Sequence, residues 1–452
     1  MKSRQTKAPI KRERTLIWWL LLQMPIRRHI RNDAIRRIRA RSKSAGISAS
    51  QFTFLMPVFF VVLLVVAMLM VIVRRVARQD LLVFNIDALG HQLMEFTGLL
   101  RTGLESQVGR STIVFYLHRG KSTRMNVFLF SIFKRLPAAR GISFWPLPTL
   151  FWVPVAALAE LVEETPWPLV RPMHPVFSFY NGLGAGEVLE VIKPGEKERF
   201  ESYMDSHLPS WRAGYCVLGI RDSAYYGDPD NPRSSPPSIY VPGVNFLIDE
   251  GFAVVRMGRQ VAEAFPVRHD RFLDYGFLGD SVDFLDVMLW AHCTFAVGDS
   301  TGLTDGVALL GGKTLVATQP MDPRSFISAP NYFFALEELV DQSTGKTLGL
   351  QEVIALMNQG WNLGSKNELS ERGYVNAKPS ALDILKAIQW FINELGEETS
   401  DSTLPSAQKE MMETLARLDL DAFPHYRKDA MSSHRWSEFK SKIYPGSLSH
   451  IL

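Results

Sequence analysis

Cysteine is nearly absent: the 452 residues hold two, Cys216 and Cys293, and neither sits in a C-x-x-C pair. That excludes a disulfide-stapled fold. No N-x-[ST] glycosylation site occurs either, and both absences fit a reducing compartment. No H-E-x-x-H or G-x-S-x-G run is present, and no D-x-D closes a strand. The chain therefore lacks the marks of a zinc peptidase, a nucleophile elbow or a metal-held nucleotide. Gly312-Lys313-Thr314 resembles the end of a P-loop, but Val307 stands where that motif needs its first glycine, and a strand follows. No metal or cofactor is called for.

Basic charge is scarce outside one end. The formal net charge is +4, yet residues 1–78 hold 17 Lys/Arg against two acids, Glu13 and Asp33, and the remainder holds 33 against 44. An acidic body excludes a nucleic-acid enzyme with a broad phosphate-tracking surface. The basic arm, 1–51, suits anionic lipid headgroups.

What the arm leads into is apolar. Residues 52–73 carry no charge, and Arg74, Arg75 and Arg78 close the run. At the helical rise, 22 residues reach about 33 Å, enough for a bilayer core of roughly 30 Å. The reading is a transmembrane or re-entrant helix; a buried core helix and a cleavable leader fit its length and position less well. Leu16–Ile26, with Trp18 and Trp19, is too short to span and precedes seven arginines. It reads as an interfacial segment or as part of a disordered leader.

From Leu81 the pattern alternates. Leu81–Ile86 and Ile113–Leu117 read as strands, Gln92–Leu100 and Asn126–Leu136 as helices; Trp145–Pro175, rich in Pro and Trp, resists assignment. A second, clearer series begins at Tyr215. Tyr215–Ile220, Phe252–Met257, Arg271–Asp274, Thr294–Val297 and Thr314–Thr318 are strand-like. Between and after them, 239–250, 282–292 (capped by Asp280 or Ser281), 303–310, 350–358 and 381–395 are helical. Strand and helix joined by short links predict α/β units with parallel sheets. The expected architecture is α/β, with two Rossmann-like domains at 79–210 and 211–396, and a linker and helical tail at 397–452.

Ligands of open α/β sheets bind beyond the carboxyl ends of the strands. Three such ends are candidates. Ile220-Arg221-Asp222-Ser223-Ala224-Tyr225 offers Arg221, whose planar fork suits a diphosphate, beside Asp222 and Tyr225; a plain Arg221–Asp222 surface pair is the alternative. Arg256-Met257-Gly258 offers a cation and a glycine that permits close approach. Gly298-Asp299-Ser300-Thr301-Gly302 opens a helix, where backbone N–H groups and hydroxyls can hold an anion. A simple cap by Asp299 or Ser300 fits that run as well. Asp283 and Asp286 share one helix face and suit sugar hydroxyls or a metal, or merely favour the helix N-terminus. His91, in the first strand-to-helix loop, is placed to act as a general base.

The run from Cys216 to Lys313 resembles bacterial glycosyltransferases of surface-polysaccharide gene clusters. The likeness lies in CVLGIRDSAYY, GFAVVRMG, FLDYGF, SVDFLDVMLWAHCTFAVGDSTGL and GGKTLVATQP. IDALGHQ, Asn126, FKRL and RGYVNAKPSALDILKAIQWF add to it, so it is scattered over about 81–396. The resemblance implies a GT-B-like pair of facing domains with the active site in the cleft and the nucleotide sugar on the second domain. It implies that Arg221 holds the diphosphate and that Ser300, Thr301 and Gly302 line the same pocket. Family members tend to carry histidine where this chain has Gly219, and their arginine-asparagine pattern is blurred here into NPRSSPPSIY at 231–240.

Two functions follow as expectations. One is transfer of a sugar from a nucleoside-diphosphate sugar to a glycan or lipid-linked acceptor, with Arg221 stabilising the leaving group. The other is an inactive membrane-anchored scaffold or glycan-binding subunit. The arm's charge would place residues 1–51 in the cytoplasm and the body outside, whereas nucleotide sugars are made in the cytoplasm. The expectation is a bacterial inner-membrane protein whose body faces the cytoplasm.

Overall fold

A computed structural model describes residues 80–84, 112–117, 126–147, 171–172, 185–224, 231, 234–321, 331–359, 366–396 and 442–448, with 65, 408, 410, 411 and 413 singly. Residues 1–51, the 52–73 run apart from Val65, His91, Tyr225 and the 92–100 helix lie outside that set. No helix among the described residues is long and apolar enough to cross a membrane.

The chain divides into two compact units, 1–125 with 137–175, and 126–136 with 176–452. The division falls at 175/176 rather than at the expected 210/211. The physical reason is that the helix at 194–207 packs downstream: Phe200 meets Trp211 edge-on and stacks on His292.

The first unit holds a four-stranded parallel sheet. Its strands are β1 (Asp80–Phe84), β2 (Thr112–Leu117), β3 (Ile142–Leu147) and β4 (Arg171–Pro172), in the order β3-β2-β1-β4. Val114 and Tyr116 of β2 are buried. The last three residues of β3, Trp145–Leu147, fall in the Pro/Trp-rich stretch that resists assignment, where Pro146 interrupts an otherwise strand-like run.

The second unit begins in sequence with α1 (Val127–Arg135), followed by α2 (Ala185–Glu190) and α3 (Pro194–His207). Its sheet then builds from β5 (Tyr215–Gly219), β6 (Ala253–Met257), β7 (Phe272–Leu273), β8 (Phe295–Asp299), β9 (Lys313–Gln319) and β10 (Tyr332–Leu336). A two-stranded ribbon, β11 (Glu338–Asp341) with β12 (Tyr374–Ala377), is antiparallel, and β13 (Lys442–Ile443) returns to the main sheet. The helices are α4 (Val241–Asp249), α5 (Tyr275–Leu278), α6 (Asp283–His292), α7 (Gly302–Leu309), α8 (Leu350–Asn358), α9 (Lys366–Glu371) and α10 (Ala381–Gly396).

All seven strands of the main sheet are parallel, in the order β13-β10-β9-β8-β5-β6-β7. The chain lays β5, β6 and β7 outward in one direction. It then returns to the other side of β5 and lays β8, β9 and β10. This is the doubly wound order, and it has one topological switch point, between β5 and β8.

Parallel strands are covered on both faces and so read as unbroken apolar runs. On one face Cys216, Leu218 and Ile220 alternate toward Val244 and Leu247 of α4 and Ile384, Ile388 and Phe391 of α10. The opposite face takes Tyr215, whose hydroxyl donates to the Leu289 carbonyl of α6 at 2.8 Å, and Gly219, which lies under α7.

Candidate functional site

The switch point is built by close approach. Gly219 and Gly298 are partners in the β5–β8 register. A Cβ added to Gly298 would stand 2.1 Å from the Gly219 carbonyl oxygen. One added to Gly219 would meet the Thr304 side chain at 3.0 Å and Leu303 Cβ at 3.2 Å. Glycine at 219 thus lets the first turn of α7 sit on the end of β5.

Thr301 caps α7. Its Oγ1 accepts from the Leu303 and Thr304 amides at 3.1 and 3.5 Å, and Thr304 Oγ1 answers by accepting from the Thr301 amide at 3.3 Å. The cap falls on Thr301 rather than on Asp299 or Ser300. Thr301 is 2% exposed, so its hydroxyl shapes the helix start rather than lining an open surface. Ser300 and Gly302 flank it and are half-buried.

Asp299 is 1% exposed and works inward. Its Oδ2 accepts the Arg221 backbone N–H at 2.8 Å; its Oδ1 accepts the hydroxyls of Tyr240 and Thr318, each at 2.7 Å. One carboxylate therefore ties the ends of β5, β8 and β9 to the helix that follows β5. Burial, and then the Asp299 charge, pushes the Tyr240 hydroxyl well above its ordinary range, so it stays a donor. Arg221 is thereby fixed by its backbone just past the end of β5, and the residue is half-buried.

Other candidates are spent on internal contacts. Arg256 is fully buried and pairs with Asp222 at 3.1 Å and Asp274 at 3.3 Å, while also donating to the Glu263 carbonyl at 2.8 Å. Asp222 accepts the Ala224 and Ala262 amides as well, at 3.0 and 2.7 Å. Neither is presented to a ligand. A strand covered on both faces buries whatever its alternate positions carry, and a buried guanidinium requires carboxylates. Gly258 follows β6, next to the end of β5 through the Gly219–Met257 pair, and is buried against Val261 and Gly276.

Asp283 and Asp286 are likewise committed. Asp286 Oδ2 accepts Arg259 Nε and Nη2 at 3.0 and 2.7 Å, and its Oδ1 accepts the Tyr275 hydroxyl at 3.0 Å. Burial raises the Asp286 carboxyl above its usual range, opposed by Arg259. Asp283 also pairs with Arg259 and caps α1 by accepting the Val127 amide at 2.5 Å. The expected cap at Asp280 or Ser281 moves to Val282. Asp280 instead accepts the Tyr203 hydroxyl at 3.1 Å, and Ser281 donates to Asp286 at 3.4 Å.

The structure thus gathers Arg221, Gly258 and 300–302 at neighbouring strand ends. It turns Asp222, Arg256, Asp283, Asp286, Asp299 and Thr301 into supports. His91 and Tyr225 lie outside the described residues. The sequence reading missed Tyr240, Thr318 and Arg259. Arg259 carried a signal, a second cation directly after Gly258; the other two are ordinary helix and strand residues whose role depends on the strand order.

No family model and no curated protein matches the chain. Among solved structures it is similar to the E. coli ADP-heptose LPS heptosyltransferase II, at 13% identity and a TM-score of 0.40, over 70% of this chain and 100% of that one. It is also similar to the glycosyl transferase family 9 protein from Veillonella parvula, at 9% identity and a TM-score of 0.39, over 70% and 97%. A third likeness is to the iron-containing dodecameric glycosyltransferase TibC of enterotoxigenic E. coli, at 11% identity and a TM-score of 0.33, over 70% and 76%.

Proposed function

We propose that the chain is a glycosyltransferase that takes its sugar from a nucleoside-diphosphate donor and passes it to a glycan or lipid-linked acceptor in surface-polysaccharide assembly. The observation that carries this reading is the switch point. Arg221 follows β5 and the capped N-terminus of α7 follows β8, at partnered strand ends. A helix N-terminus and a guanidinium side by side suit a diphosphate.

In this reading the chemistry is electrostatic. Negative charge grows on the departing nucleoside diphosphate as the glycosidic bond breaks. The N-terminus of α7 supplies partial positive charge, and Arg221 a full one, without calling on a metal. Asp299 serves by holding the Arg221 backbone. His91 is the proposed base for the acceptor. The 52–73 run and the basic arm hold the body at the inner membrane, on its cytoplasmic side.

A non-catalytic scaffold is the second reading. Its support is glycine in place of histidine at 219 and the polar, Pro-rich 227–237 stretch; the first turn of α7 packs against that glycine. Nucleoside-diphosphate release from a panel of nucleotide sugars, with membrane glycolipid as acceptor, separates the two. Acceptor-dependent release from at least one donor is expected; binding without release from any donor would favour the scaffold.

A further inference from the structure

Glu337 follows β10 directly, and its amide donates to the Gln319 carbonyl at 2.8 Å, continuing the ladder past the end of β9. Its side chain is fully buried. One carboxylate oxygen, Oε1, takes Lys378 Nζ at 2.5 Å, and Lys378 follows β12. The other, Oε2, is buried and has no hydrogen-bond partner.

The surroundings place this oxygen at the same edge of the sheet as the crevice. Asp299 ends β8 and Glu337 follows β10, with β9 between them. Thr318 of β9 donates to Asp299, and Tyr240 feels the charges of both acids. Ser234 and Ser235, whose buried hydroxyls are also without partners, sit on the segment whose Ser235 amide donates to the Arg221 carbonyl at 2.9 Å. Glu337 Oε2, Ser234 Oγ and Ser235 Oγ are thus buried polar atoms without partners on segments that follow strands of the main sheet.

We propose that Glu337 is a binding residue of this crevice, taking a hydrogen bond through Oε2 from the vicinal hydroxyls of a ligand's sugar ring. The inference rests on the crevice being the donor site. An ionised carboxylate only accepts, so its partner must bring O–H or N–H. A fully ionised phosphate brings neither. The crevice then has two ends, an anion end at Arg221 and α7 and a hydroxyl end at Glu337. Burial pushes Glu337 up to about 7, with Lys378 opposing and Asp299 adding; a ligand hydroxyl donating to Oε2 would favour the charged, accepting form.

Full-length protein in detergent would be titrated calorimetrically with pyrophosphate, a nucleoside diphosphate, its 2′,3′-dideoxy analogue and the matching nucleotide sugar. Wild type would be compared with Glu337→Gln and with Glu337→Asp, which keeps the charge but withdraws the oxygen. The expected result is a 10- to 100-fold loss of affinity in both variants for hydroxyl-bearing probes, with pyrophosphate unchanged. A dideoxy analogue that binds wild type as weakly as the variants assigns the hydroxyls to ribose. A loss confined to the nucleotide sugar assigns them to the transferred sugar. Wild-type affinity in both variants for every probe that wild type binds overturns the role of Glu337 alone. Failure of wild type to bind any probe overturns the donor-site reading and this inference with it.

Discussion

Arg221 and Arg256 are both arginines at strand ends, and the structure gives them opposite duties. Arg221 stands at the rim, so Arg221→Ala should leave the melting temperature within a degree or two while lowering transfer on the order of 100- to 1,000-fold. Arg221→Lys should recover part of the rate, since it keeps the charge and loses the fork. Near-normal turnover in the alanine variant would reject the role. Arg256 is buried between Asp222 and Asp274. Arg256→Ala strands two carboxylates and should destabilise by about 3–5 kcal/mol in denaturant unfolding; a midpoint like that of wild type would contradict the buried pair.

Glu337 adds a pH dependence at the same scale. Its carboxyl is raised from 4.5 to about 7 by burial, so the folded chain holds that proton more tightly than the unfolded chain. The resulting stability is complete below about 4.5 and is lost as pH rises through about 7. Its size is on the order of 3 kcal/mol. Melting curves between pH 5 and 8 should fall more steeply for wild type than for Glu337→Gln; parallel curves would remove Glu337 as the cause.

Elements carry the geometry that residues alone do not. The first turn of α7 lies on Gly219, and Gly298 backs directly onto the Gly219 peptide. Gly298→Ala must displace backbone, whereas Gly219→Ala asks Thr304 and Leu303 to yield a few tenths of an ångström. The expected order of loss in melting temperature is therefore Gly298→Ala well beyond Gly219→Ala, with Thr301→Ala costing about 1 kcal/mol as a lost cap. Equal effects at 219 and 298 would refute this packing.

The central strands were legible because parallel, doubly covered strands leave continuous apolar runs, as in YCVLG at β5 and FAVGD at β8. β10, the β11–β12 ribbon and β13 were not read. β13 is two residues long and joins β10 from more than 100 residues downstream, which no local pattern encodes. Of the candidate site, the placement of its residues beyond the strand ends was legible. Which polar groups there face outward was not, because Asp299, Asp222 and Asp286 are turned inward by partners 59, 34 and 27 residues away in sequence.

At the scale of the whole molecule, the seven-stranded unit draws in α1 from earlier in the chain. Asp283 caps α1, and Arg135 pairs with Glu196 at 2.7 Å. The central claim is that this unit holds a donor diphosphate at its switch point. The most direct measurement is the position of the diphosphate in a crystal of the protein with a nucleoside diphosphate. Phosphate oxygens are expected about 3 Å from the Arg221 guanidinium and from amide nitrogens at the start of α7. A diphosphate bound away from the ends of β5 and β8, with Arg221 and α7 untouched, would contradict the claim.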